Sequence, residues 1–238
     1  MPKRRYASVR RQRRVPNYKR RRTTLAKQSI MRAPPVRYTG YTNRFHPGGE
    51  MKFHDVSYSA TTTSATGQIT NSSLVLIQGG TGESQRVGRR IKVKSISIRG
   101  YVFLPDGTDA AKSADMVRIV VYGDRQTNKA AATVANLLDS TDFLSFNNIE
   151  NSLRFKTLAQ RTITVHASGV GSASTPSVQV GRGLKPFQIN IKLNAIIEYA
   201  GTTAAITELT SANIGVMIIS QGAAAQVEYI ARVRYTDV

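Results

Sequence analysis

Eleven of the first 22 residues are basic: Lys3, Arg4, Arg5, Arg10, Arg11, Arg13, Arg14, Lys19, Arg20, Arg21 and Arg22. The chemistry this pattern suits is phosphate binding. A guanidinium is planar, always charged and able to fork onto two phosphate oxygens, and Arg outnumbers Lys in the segment. Tyr6 and Tyr18 stand among the cations, where their rings can stack on unpaired bases. If about 8 of these charges each neutralise a phosphate, log K falls with log salt at a slope of roughly −6 on a single strand. Three basic clusters spread along the whole segment exceed what a nuclear-import address needs, although the same residues can serve both ends.

Nothing in this stretch can position itself. Its charges repel one another and its apolar content is too low to bury much surface, so disorder is expected without a ligand. No Asp or Glu precedes Glu50, and 15 of the 34 Lys and Arg fall in residues 1–44. The other 19 share residues 45–238 with all 14 acids, so the arm carries +15 and the body only +5. Residues 23–49 are dilute in charge and interrupted by Pro34-Pro35, Pro47 and Gly48-Gly49, which reads as a linker. The expected division is a basic arm and linker over 1–44 and one folded domain over 45–238.

Several function classes drop out on composition. The chain has no Cys, which removes disulfides, thiol catalysis and thiolate metal sites. The N-terminus is charged, with no apolar stretch of a secretory signal. The longest strongly apolar run, IGVMII at 214–219, is too short to cross a bilayer. A soluble protein with no membrane partner is expected.

From about residue 50, apolar residues recur with period two, the mark of half-buried strands. Val227, Tyr229, Ala231, Val233 and Tyr235 fall on one face, against Glu228, Arg232 and Arg234, with Ile230 the exception. Ile189, Ile191 and Leu193 alternate with Asn190, Lys192 and Asn194, and Val117, Ile119 and Val121 oppose Arg118. Ile163 and Val165 follow the same rule. In RRIKVKSISIRGYVFL (89–104) the apolar set changes phase, from Ile91 and Val93 to Ile96 and Ile98, which predicts a β-bulge or a bend between sheets. Gly100 reads as a second bend. Further strands are expected near 51–59, 70–77 and 213–220, about eight in all. One helix is predicted over Lys129 to Leu138, capped by Thr127 or Asn128. The expected fold class is all-β: an eight-stranded antiparallel sandwich of Greek-key or jelly-roll topology with one short helix in a connection. The polar connections at 60–70, 105–114, 167–181 and 200–212 are candidates for outward loops.

Catalytic chemistry finds little support. GGTGESQRVG (79–88) has glycines but no terminal Lys-Ser/Thr and leads into a strand, so a turn is expected rather than a phosphate loop. His54-Asp55 is the only neighbouring His–carboxylate pair, and adjacent strand residues point to opposite faces. Asp106 and Asp109 offer two carboxylates, an incomplete cation shell. Asn71-Ser72-Ser73 forms a glycosylation sequon with no secretory signal before it. No enzyme, cofactor or metal site is expected.

GESQRVGRRIKVKSISIRGYVFL, behind a basic arm, resembles the capsid proteins of small circular single-stranded DNA viruses, geminivirus-like and genomovirus-like members above all. Arg86, Val87, Gly88, Arg89, Arg90, Lys94 and Ser95 stand at that family's motif positions. LLDSTDFLSFNNIENSLRFKTLAQRTITV, with Arg154-Phe155, and YIARVRYTDV, with Tyr229, Arg232, Val233, Arg234, Tyr235 and Asp237, are similar to two further family segments. Cys and His sets of the zinc-finger kind, and Trp, are missing here, unlike in plant geminivirus coat proteins.

The resemblance implies a single jelly-roll capsid subunit, about sixty copies in a T=1 icosahedral shell, and arms turned inward onto single-stranded DNA. It also implies import receptors as partners, and the host nucleus and the virion as locations. Arms in that number supply roughly 900 positive charges to offset genome phosphate. Arg89, Arg90, Lys92 and Lys94 become secondary genome contacts if their strand faces inward, and read equally as a solvated strand face. Two other readings compete. A monomeric basic nucleic-acid-binding module would spread its charge over the body, and a β-sandwich hydrolase needs a carboxylate pair that this sequence does not offer.

Overall fold

Alternating apolar residues turn eight segments into strands, in a computed structural model that describes residues 50–105, 114–166 and 183–238. The arm cations Lys3 to Arg22, the linker, Asp106 and Asp109, most of the 105–114 connection and all of the 167–181 connection lie outside the described residues. The strands are β1 (Met51–Thr62), β2 (Gln68–Asn71), β3 (Arg90–Phe103), β4 (Ala114–Asp124), β5 (Phe155–His166), β6 (Lys185–Glu198), β7 (Asn213–Ser220) and β8 (Gln226–Asp237). They form two four-stranded antiparallel sheets, ordered β1-β8-β3-β6 and β2-β7-β4-β5. Only the β4-to-β5 connection stays within one sheet. Every other pair of consecutive strands changes sheet, and the first and last strands end up hydrogen-bonded, which is the jelly-roll arrangement.

The main core lies between the sheets. Ile91, Val93, Ile96 and Ile98 are all fully buried in it, together with Val117, Ile119, Val121, Val227, Ala231 and Val233. The phase change in β3 is a bulge: its register against both β6 and β8 shifts between Val93 and Ser95. Through Gly100 the register runs unbroken, so that residue makes no bend. It serves close approach instead, because a Cβ there would lie 2.2 Å from the Glu228 carbonyl oxygen and 2.5 Å from Tyr229 Cβ.

A second core occupies the other face of the β2-β7-β4-β5 sheet. The connection from β4 to β5 folds back over that face, where Leu137, Leu138 and Phe143 pack with Val120, Tyr122, Phe155, Met217 and Ile219. β7 is therefore buried on both faces, and this explains its continuous apolar run. Arg118 lies under the same cover: it donates to the carbonyls of Phe143 (3.2 Å) and Ser145 (2.6 Å) and to Gln160 Oε1 (3.1 Å). Burial lowers its affinity for its proton.

Two predicted elements are shorter than their apolar patterns. β2 ends at Asn71, and Leu74, Val75 and Ile77 enter the core from an irregular segment. Single contacts satisfy that backbone, among them Leu74 N–H to the Ile214 carbonyl (2.7 Å) and Tyr199 O–H to the Val75 carbonyl (2.7 Å). The helix, α1, covers only Val134–Leu137. Asn128 (φ 47°) and Lys129 (φ 58°) are left-handed, which no right-handed helix can include. Its cap is Thr133, whose N–H and hydroxyl both donate to Asn136 Oδ1.

The cover is fastened at its end by Arg154, which forks onto Asp124 with two contacts of 2.9 Å while Asp124 stays 1% exposed. Arg154→Ala leaves that carboxylate buried and unpaired, and is expected to cost about 3 kcal/mol of unfolding free energy in a denaturant titration. Acid should also weaken the β1–β8 edge. Burial holds the His54 imidazole below its ordinary value of 6.5, partly offset by Asp55, and the hydrogen bond from Arg232 holds the Asp55 carboxyl low. Both groups bind more protons unfolded than folded. Their stabilisation is present above the unfolded values and is lost as pH falls through the folded ones. The melting temperature should drop between pH 7.5 and pH 5, and His54→Gln should shrink that drop.

Candidate nucleic-acid interface

Because the bulge leaves the apolar side chains of β3 pointing into the core on both sides of it, the polar ones stay on the opposite face. Arg90, Lys92 and Lys94 precede the shift, and Ser95, Ser97 and Arg99 follow it. Ser95 is in register with Lys192 of β6 on one side and Arg234 of β8 on the other. Neighbouring strands lie about 4.8 Å apart, so these two cations stand one strand to either side of β3, next to Lys94. Ser97 is likewise in register with Arg232.

Three carboxylates share this face, and each is engaged. Asp55 accepts from Arg232 at 2.7 and 2.6 Å, Glu198 pairs with Arg90 at 2.8 Å, and Glu228 accepts from the Tyr101 hydroxyl at 2.5 Å. Among the described residues, none of the four ion pairs involves Lys92, Lys94, Arg99, Lys192 or Arg234. Phe53 is 50% exposed on β1, in register with Arg234 and 5.5 Å from the Arg232 guanidinium. An exposed ring bordered by guanidinium groups is a stacking platform for an unpaired base.

Of the four body cations expected from sequence, the structure thus brings Arg90, Lys92 and Lys94 onto one face, with Arg90 already paired to Glu198. Arg89 stands apart. It is exposed beside the 79–88 turn, around a hollow of about 420 Å³ that it lines with Gly79, Gly80 and Thr202. Sequence reasoning did not join Lys192, Arg99, Arg234 and Phe53 to this set. Their alternation on separate strands was visible, but no local signal says that β6 and β8 flank β3.

The motif arginine Arg86 has a different role. It is 1% exposed, donates through Nε to the Ile77 carbonyl at 2.9 Å and through its terminal nitrogens to the carbonyls of Gly88 and Gly201, and lies 3.9 Å above the Tyr199 ring. Asp237, from the C-terminal motif, accepts from Val87 N–H (3.2 Å) and pairs with Lys52 (3.1 Å). The two motifs, about 150 residues apart in sequence, meet here and lock the glycine-rich turn to the sheet. Asn71 of the sequon donates its side-chain amide to the Tyr229 hydroxyl at 2.7 Å.

The family model of the satellite tobacco necrosis virus coat protein matches residues 46–238. The chain belongs to that family. A viral coat protein is what the arm and motifs imply, and the family is a structural one, with a place in the virion. The match is to a different virus from the geminivirus-like and genomovirus-like members that the motifs resemble. No curated protein matches this coat protein. Among solved structures it is similar to the infectious bursal disease virus VP2 subviral particle, at 11% identity and a TM-score of 0.22 over 79% of this chain and 38% of that one. The T13 IBDV viral particle gives 12% identity and a TM-score of 0.20 over 79% and 39%. The coat protein thus spans well under half the length of either chain.

The sheet face yields a quantitative expectation. Neutralising Lys94, Lys192 and Arg234 to Ala in the full-length coat protein should make the salt slope of single-strand binding shallower by about 2. Fluorescence anisotropy with a labelled oligonucleotide at several salt concentrations measures this. An unchanged slope would assign all phosphate contact to the arm.

Proposed function

We propose that this coat protein closes an icosahedral shell of about sixty copies around a circular single-stranded DNA genome. In this reading the arm, residues 1–44, condenses the genome and the jelly-roll body, residues 45–238, builds the wall. The observation that carries it is the charge division: 15 cations and no acid in the arm, against a body of 19 cations and 14 acids. Supporting it, the family match begins at residue 46, where the arm ends. The single-stranded DNA assignment rests on the RVGRR, Arg154-Phe155 and YIARVRYTDV motifs and their resemblance to the circular-DNA virus capsids.

Lys3, Arg4, Arg5, Arg10, Arg11, Arg13, Arg14, Lys19, Arg20, Arg21 and Arg22 hold phosphate, with Lys92 and Lys94 as secondary contacts. Binding of this kind is weakly specific, because phosphate contacts position a strand without reading its bases. The same basic clusters address the protein to import receptors and the host nucleus.

Deleting residues 1–22 should leave a folded body that no longer retains nucleic acid, and the salt slope should fall from roughly −6 towards the contribution of the sheet face alone. A truncated protein with the full-length slope would sink the arm's role. Nucleic acid extracted from purified particles and treated with DNase or RNase identifies the cargo, and RNase-sensitive cargo would overturn the DNA assignment. A monodisperse monomer that binds nucleic acid without forming particles would favour the stand-alone binding module.

A further inference from the structure

The cover over the second sheet is apolar on both sides. From Phe143 to Leu153 it reads FLSFNNIENSL, with Glu150 the one charged residue. Its inward residues, Phe143 and Ser145, are buried. Its outward residues are not: Leu144 is 76% exposed, Phe146 82%, Ile149 76% and Leu153 85%. No other large hydrophobic residue among those described reaches this exposure, the next being the terminal Val238 at 68%. Four large apolar side chains this exposed within residues 144–153 are a concentration of apolar surface, not the singly scattered residues that need no explanation.

We infer that this segment is a contact surface for a second copy of the chain. Three observations choose that occupant over nucleic acid or another protein. The patch has almost no charge, and depletion of charge marks the centre of protein–protein contacts, whereas a nucleic-acid surface needs cations. Fifteen of the excess positive charges lie in the arm, so two bodies meet at only +5 each, a repulsion that apolar burial can offset. The surface also carries both halves of a fit. Beside the exposed knobs, a hollow of about 360 Å³ opens among Val120, Leu137, Leu138, Ile149 and Phe155, and another of about 270 Å³ lies next to Leu144, Phe146 and Gln160. The first hollow, which Asn148 and Ser152 also line, exceeds the about 150 Å³ that holds a benzene ring and can receive a Phe or Leu from the partner, whereas Arg118, Gln160 and Thr162 make the second partly polar. The buried Arg118 guanidinium at the floor of the second hollow holds the backbone at Phe143 and Ser145, which fixes the direction of the outward knobs between and beyond them.

The inference rests on self-assembly of the coat protein and names one surface that performs it. Its test combines two measurements on the full-length chain. Phe146→Ser/Leu153→Ser removes two knobs that touch no core, so circular dichroism and melting should match the unsubstituted protein, while sedimentation should show the loss of particles. Separately, Leu144→Cys introduces a single thiol into a chain with no cysteine. Its rate of maleimide labelling should be at least tenfold slower in particles than in protein dissociated by high salt. A double variant that forms particles as the parent does, or a thiol labelled equally fast in both states, overturns the inference and leaves the coat-protein reading standing. Parent protein that forms no particles under any packaging condition overturns both.

Discussion

The one-residue shift between Val93 and Ser95 is the constraint on which the rest of the body depends. β3 is paired on both sides, and its side chains obey a strict two-residue period. Without that shift, either Ile91 and Val93 or Ile96 and Ile98 would face solvent, and the cations would be forced into the core. With it, fully buried isoleucines stand on both sides of the bulge and an unbroken row of polar residues stands behind them. The sandwich core and the basic face are two consequences of one irregularity.

The arginines of this protein divide into those that hold the fold and those free to bind. Arg86, Arg118 and Arg154 are committed to backbone carbonyls or to Asp124, and each fastens an irregular segment that no ladder can hold. Asp115 does the same with a carboxylate, accepting from the N–H groups of Gly222, Ala224 and Ala225 at 2.7 to 3.0 Å to shape the β7–β8 turn. Long connections between strands that change sheets leave many backbone groups without neighbours, and charged side chains with several donors or acceptors satisfy them. The cations remaining on the sheet face are then those with no internal task. Motif arginines are therefore poor guides to ligand binding unless their burial is known.

Much of the frame was legible in the chain. Period-two patterning located eight strands, and the phase change in 89–104 marked the bulge, because both signals come from the geometry of a single strand. Where local pattern and tertiary packing disagreed, packing prevailed. Ala130, Ala131 and Val134 have helical spacing, yet two left-handed residues delay the helix to Val134, and the apolar run through Ile77 is core without being strand. Gly100 looked like a bend and is a point of close contact with β8, a distinction that needs the partner strand. Arg118 read as a solvent-facing residue, since nothing local announces that the β4–β5 connection folds back over it.

What the amino-acid order determined alone was the split between a +15 arm and a nearly balanced body, the strand content and the concentration of guanidinium groups in the arm. Those properties are sums over residues or follow from spacing along one strand. Only the tertiary structure decided that Lys94, Lys192 and Arg234 share a face, that the RVGRR and C-terminal motifs lock together, and that Leu144, Phe146, Ile149 and Leu153 stand uncovered. Each of these depends on which distant segments pair. Pairing is set by burying the apolar faces of all eight strands at once, and no single stretch of sequence contains that condition.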